Sequence, residues 1–154
     1  MAEDPDEPST TGEAQALNAA LAAEHAAVWG YGVVGAALPA GKRKLAAAAE
    51  DAHRDARDGL VALLAERGAD PVESEGGYRL PFPVLSEVDA ATLAVTLEDG
   101  VAAAYVRVLG EAAESSTRKF AVEALSAGEV RAVSWRTRAK KKPVTEPFPG
   151  LPRA

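Results

Sequence analysis

Four long stretches with helical periodicity run along this chain, and the breaks between them are very unequal in length. Pro39 and Gly41 make a short first break. Gly68 to about Leu85 makes a long second one, carrying Pro71, Gly76, Gly77, Pro81 and Pro83. Ser115-Ser116-Thr117 makes a short third, and Pro143 closes the last stretch. Between breaks, apolar residues recur at three- and four-residue spacing, the period of a helix with one buried face. The pattern predicts helices over about 13–38, 41–67 and 86–114, and a fourth capped by Ser116 or Thr117 that runs to about 141. Thr10 and Glu13 fit a capping box for the first, and Ser86 with Asp89 fits a cap for the third.

Composition agrees with an all-α fold. Alanine fills 35 of 154 positions, while aromatics make up only 5%, which favours close-packed helices over sheets. With no Cys, disulfides and thiolate metal sites are excluded. The length suits one domain. Residues 1–12 read as a disordered acidic leader, 13–142 as a four-helix bundle, and 143–154 as an extended, proline-rich tail with Phe148 and Leu151 packed back onto the bundle.

A net charge of −6 and a pI near 5.0 give no general case for nucleic acid. The basic run Arg136, Arg138, Lys140, Lys141 and Lys142 reads as a solvated helix end that complements the helix dipole. No apolar run reaches the ~18–20 residues of a membrane span, and no signal-peptide pattern opens the chain. The expectation is a cytoplasmic protein without membrane partners.

The short first and third breaks pair helix 1 with 2 and helix 3 with 4. An extended segment of ~18 residues reaches up to ~60 Å, against ~39 Å for a helix of ~26 residues. The long second break can therefore return along the whole bundle as one crossover between helices 2 and 3.

Two helices share a feature that apolar stripes do not need. Helix 1 presents Leu17, Leu21, Glu24, Val28, Tyr31, Gly35 and Leu38 on one face. Helix 3 presents Ala91, Ala94, Glu98, Val101, Tyr105, Val108 and Ala112. Each has a glutamate mid-stripe and a tyrosine two turns further on. A buried carboxylate must be paired, protonated or metal-bound, because ionised and alone it costs several kcal/mol. Helix 2 offers Glu50-x-x-His53 on one face, and helix 4 places Glu129 at the same level.

These residues resemble the ligand pattern of the ferritin-like di-metal carboxylate bundles. That family takes one Glu from each of two helices and a Glu-x-x-His from each of the other two. Glu24 and Glu98 match the lone glutamates, and Glu50 and His53 the first motif. Glu129 matches the start of the second motif, but Ala132 stands where its histidine belongs. The chain as a whole is similar to alanine-rich, ferritin-like actinobacterial proteins of unknown function. The likeness rests on AEHAAVWGYGVVGA, AHRDARDGL, YRLPFPV and FPGLP and covers about residues 14–152. It implies a ferritin-like four-helix bundle with one long crossover.

Two functions compete. The favoured one is an inherited bundle whose core carboxylates pair with cations instead of metal and which serves a structural or interaction role, most simply as a homodimer burying an alanine/glycine face. Its core polar partners are Tyr31, Arg54, Arg57, Tyr105 and Arg131, with Arg57 expected to neutralise a buried carboxylate. It needs no cofactor. The alternative is a di-iron, di-manganese or single-metal protein handling oxygen, peroxide or iron, with Glu24, Glu50, His53, Glu98 and Glu129 as ligands. No catalytic residue or small-molecule substrate can be named on either. A third reading, a pocket in the bundle core lined by Trp29 or Trp135, is weaker; Trp29 lies off the Glu24 stripe and is expected to face a partner. Gly30, Gly32 and Gly35 read as close helix contacts.

Overall fold

A computed structural model describes residues 10–152 of the chain. Among them are four α-helices and no strands: α1 (Thr10–Ala37), α2 (Arg43–Glu66), α3 (Glu87–Glu111) and α4 (Ser115–Arg138). A single 3-10 turn, Ala40–Lys42, leads into α2. Most of the expected acidic leader lies outside the described residues. Helix α1 begins at Thr10, whose side chain, expected to cap it, lies outside the described residues. The Glu13 side chain is buried and sits 3.4 Å from Arg67 Nε instead of reaching back along its own helix.

The cap expected at Ser86 is present. Its hydroxyl accepts from the Asp89 N–H at 3.1 Å, and the Asp89 carboxylate accepts from the Leu85 N–H at 3.1 Å. One orphan donor of the first turn of α3 is thus satisfied, and the Asp89 side chain holds the residue that enters it. The break before α4 falls earlier than expected, at residues 112–114, and Glu114 takes the cap position without a side-chain hydrogen bond. Arg118 satisfies the end of α3 by donating to the Ala112 carbonyl at 2.7 Å.

Helix α1 packs against α2 and α3, and α3 packs against α4. Tyr31 meets Glu98 while Tyr105 meets Glu24, so α1 and α3 run in opposite directions. The apolar interior forms two clusters. One gathers Leu17, Leu21, Leu60, Leu64, Val101 and Val108. The other gathers Val34, Leu38, Ala49, Leu93, Val95 and Trp135. On α2, α3 and α4 a polar residue falls between the two sets, His53, Glu98 and Arg131, and on α1 Glu24 stands at the same level. A polar layer therefore crosses the middle of an otherwise apolar core.

The tail follows α3 differently from expectation. Phe148 and Leu151 remain largely exposed. The close approach is made by Gly150, at φ +80°, where a Cβ would come within 2.5 Å of the Ala102 carbonyl oxygen. A positive φ and that proximity both require glycine. Trp29 also differs from expectation, since Tyr78 of the same chain covers it, with ring centroids 5.8 Å apart. Of the three α1 glycines, Gly30 meets Leu97 closely and Gly35 makes ordinary contact with Ala46, but a Cβ on Gly32 would meet nothing within 4 Å.

Candidate functional site: a buried carboxylate–histidine layer

The heptad-like stripes bring Glu24, Tyr31, Glu98 and Tyr105 inward, and the α2 face brings His53 between them. Glu24, His53 and Glu98 are all essentially inaccessible to solvent. The Nδ1 of His53 lies 2.6 Å from Glu24 Oε2, and its Nε2 lies 3.1 Å from Glu98 Oε1. An ionised carboxylate only accepts, so a ring that bonds two of them donates from both nitrogens, as an imidazolium does. Burial alone would lower the His53 pKa. Hydrogen bonds to Glu24 and Glu98, and the charges of both, outweigh burial and raise it to about 9.

Each tyrosine serves the carboxylate of the facing helix. Tyr31 donates to Glu98 Oε1 at 2.6 Å, and Tyr105 donates to Glu24 Oε1 at 2.6 Å. Burial, then the charge of the carboxylate each one faces, pushes both phenols far above their ordinary range, so they act as fixed donors. Arg131 Nε completes the set with a bond of 2.9 Å to Glu98 Oε1. Burial by itself would raise the Glu98 pKa, but the hydrogen bond and charge of His53, with Arg131, hold it below the usual carboxylate range. Two carboxylates and two cations thus meet in a neutral layer. Gly128 borders it, and a Cβ there would make ordinary contact with Glu98 Oε2 at 3.5 Å. That oxygen accepts no hydrogen bond among the described residues.

The other residues singled out in the sequence go elsewhere. Glu50 pairs with Arg54, which also bonds Asp51 at 3.0 Å. Arg54 is exposed on the outer side of α2, and Arg57 bonds Asp58 at 2.8 Å. Neither arginine neutralises a core carboxylate: Arg54 lies about 100° round the helix from His53, and Arg57, one turn on from His53, swings its guanidinium out to Asp58. Glu129 accepts from Arg136 at 2.6 Å and turns toward the tail. Ala132, where a second histidine would stand, is buried.

The chain's relatives are consistent with its helical build. A family profile described as "Domain of unknown function (DUF4439)" matches residues 16–153. The chain belongs to this family. A solved structure similar to this DUF4439 chain is that of a conserved hypothetical protein, rv2844, from Mycobacterium tuberculosis. The two are 39% identical, with a TM-score of 0.80 over 82% of this chain and 96% of that one. No curated protein matches. Neither the family description nor that of the mycobacterial protein states an activity.

A second charged cluster in this DUF4439 chain was missed in the sequence. Arg136 is buried and bonds Glu129, Asp99 at 2.8 Å and the Val144 carbonyl at 3.1 Å, which ties the tail to α3 and α4. The signal was available: Glu129 and Arg136 stand two turns apart on one face. Arg136 is therefore a structural ion-pair residue and not part of a solvated basic end.

Proposed function

We propose that this protein is a ferritin-like bundle in which His53 and Arg131 take the electrostatic place of a di-metal centre, and that its role is structural or interactive, not catalytic. The observation that carries this reading is the engagement of both His53 nitrogens by carboxylates. A histidine ligand must offer a neutral nitrogen lone pair to the metal. Here both nitrogens face carboxylates, and Tyr31, Tyr105 and Arg131 occupy Glu98 Oε1 and Glu24 Oε1, two of the oxygens that would otherwise bridge cations. Among the described residues no group of three or more His, Asp or Glu side chains is spaced to hold a metal ion. The donor set present does not fit a di-metal centre.

Helix directions and the long 67–86 connection support the ferritin-like arrangement with one crossover. A homodimer belongs to the same proposal. Val122 and Val130 on α4 and Phe148 on the tail are exposed apolar side chains on the α4 side, and covering them by a second copy removes apolar area from water. This face replaces the alanine/glycine face expected from the sequence. No helix among the described residues is long and apolar enough to cross a membrane.

Metal analysis of protein produced with iron and manganese supplied, and purified without chelator, tests the proposal. Less than about 0.2 metal per chain is expected, unchanged in His53→Ala. NMR of the His53 ring should show both nitrogens protonated at neutral pH. Stoichiometric metal that vanishes in His53→Ala would restore the metal-centre alternative. A monomer by light scattering at high micromolar concentration would remove the dimer.

A further inference from the structure

One face round from the Glu24 stripe, α1 presents His25, Trp29 and Gly32 at three- and four-residue spacing, with Val28 of the stripe at their edge, and α2 sets Glu50, Arg57 and Val61 beside them. Residues 70–78 roof the groove between these helices. Asn18 pins the roof twice: its Nδ2 donates to the Asp70 carbonyl at 2.9 Å, and its Oδ1 accepts from the Val72 N–H at 2.7 Å. His25 Nε2 adds a contact of 3.1 Å to the Val72 carbonyl. Between this tied segment and the helices lies a groove open to solvent, of about 950 Å³.

Its lining has a definite chemistry. Trp29 from the helix and Tyr78 from the roof tilt against each other at 53°. Around them stand four carboxylates, Glu50, Asp70, Glu73 and Glu75, against the single arginine Arg57. Arg57 is already bonded to Asp58, and Glu50 to Arg54. Asp70, Glu73 and Glu75 have no cationic partner among the described residues. Aromatic faces attract a cation through the ring quadrupole, and surrounding carboxylates add long-range attraction and hydrogen-bond acceptors. A hard metal ion keeps its water and takes oxygen ligands in preference to an indole, so the aromatic pair selects for an organic cation.

We propose that this groove binds a small organic ammonium ion, with its charge over Trp29 and Tyr78 and its polar hydrogens toward Asp70, Glu73 and Glu75. The site lies outside the Glu24–His53–Glu98 layer and stands whether or not that layer holds metal. Gly32 supplies a test that spares the fold. A side chain there meets nothing within 4 Å and projects into the groove.

The full chain is titrated by calorimetry with spermidine and with tetramethylammonium, and with magnesium chloride as a comparison. Saturable binding of at least one ammonium ion, one per chain, is expected, with magnesium much weaker. The Trp29 indole N–H resonance should shift during the titration while that of buried Trp135 stays put. Trp29→Ala and Gly32→Leu should each weaken binding at least tenfold, with Gly32→Leu keeping the parent's helical content. Tighter spermidine binding assigns a polyamine, and tighter tetramethylammonium binding a methylated amine. No saturable binding of either at millimolar concentration overturns the proposal. So does magnesium binding of equal strength together with a Trp29→Ala variant that binds like the parent, because the site would then be only a cluster of acids.

Discussion

Tyr31 on α1 donates a hydrogen bond to Glu98 on α3, and Tyr105 on α3 donates one to Glu24 on α1. The exchange is symmetric, but the carboxylates are not equally served. Glu98 Oε1 also receives His53 and Arg131, while Glu24 Oε1 has only Tyr105 among the described residues. Removing Tyr105 therefore strands a buried acceptor, and removing Tyr31 does not. Tyr105→Phe should cost on the order of 2 kcal/mol and Tyr31→Phe about half as much. Urea unfolding of the two variants checks the order; equal losses would mean water reaches Glu24.

His53 sets the alkaline limit of this layer. Its pKa lies above the unfolded value, near 6.5, and rises to about 9 in the fold. Its contribution is full below pH 6.5 and is lost as pH rises through 9. The shift corresponds to roughly 3 kcal/mol. Stability measured from pH 6 to 9.5 should fall by about that much in the parent and be nearly flat in His53→Gln, which is destabilised throughout. Glu98 acts in the opposite sense: its lowered pKa makes its contribution present above the usual carboxylate range and lost as pH falls through its folded value. A parent curve that stays level up to pH 9.5 would show that His53 is neutral and that the layer is assembled some other way.

Much of this was legible in the sequence because helical period constrains what a residue faces. Glu24, Tyr31, Glu98 and Tyr105 each sit on a three-four stripe with leucine, valine or alanine, so burial and convergence follow from spacing. The pairing across helices did not follow. Spacing places Tyr31 above Glu24 on α1, yet its hydroxyl reaches Glu98 on the neighbouring helix, and that choice depends on helix register. Arginines were harder still. Arg54, Arg57 and Arg131 carry equal charge, and a long flexible side chain can leave the face its Cα occupies. Only the position of α4 beside Glu98 selects Arg131.

That selection has a direct consequence for two substitutions. Arg131→Ala removes one of three donors to Glu98 Oε1 and exposes the core carboxylate to an uncompensated charge. A loss on the order of 1–3 kcal/mol is expected. Arg57→Ala releases only a surface pair with its neighbour Asp58 and should leave the melting temperature unchanged. Thermal unfolding followed by circular dichroism compares the two. A severe Arg57→Ala variant would return that residue to the core role first expected of it.

Three helical glycines separate propensity from packing. Alanine at Gly32 meets no neighbour, so it gains the helix preference alone, about 1 kcal/mol of stability. At Gly30 a Cβ would approach Leu97 Cδ1 to 2.6 Å, but that methyl is the end of a flexible chain and can move. The propensity gain and the displacement should nearly cancel. At Gly59 the Cβ would come within 2.5 Å of the Phe120 ring, a rigid group that also packs on Tyr105 at a centroid distance of 6.2 Å. Overpacking there should destabilise by about 1–3 kcal/mol and disturb the Tyr105 hydroxyl as well. Gly59→Ala should then lower the stability and weaken the pH dependence between 6.5 and 9, because a displaced Tyr105 no longer holds Glu24 against His53. Stability without that change in pH profile would separate the Phe120 contact from the polar layer.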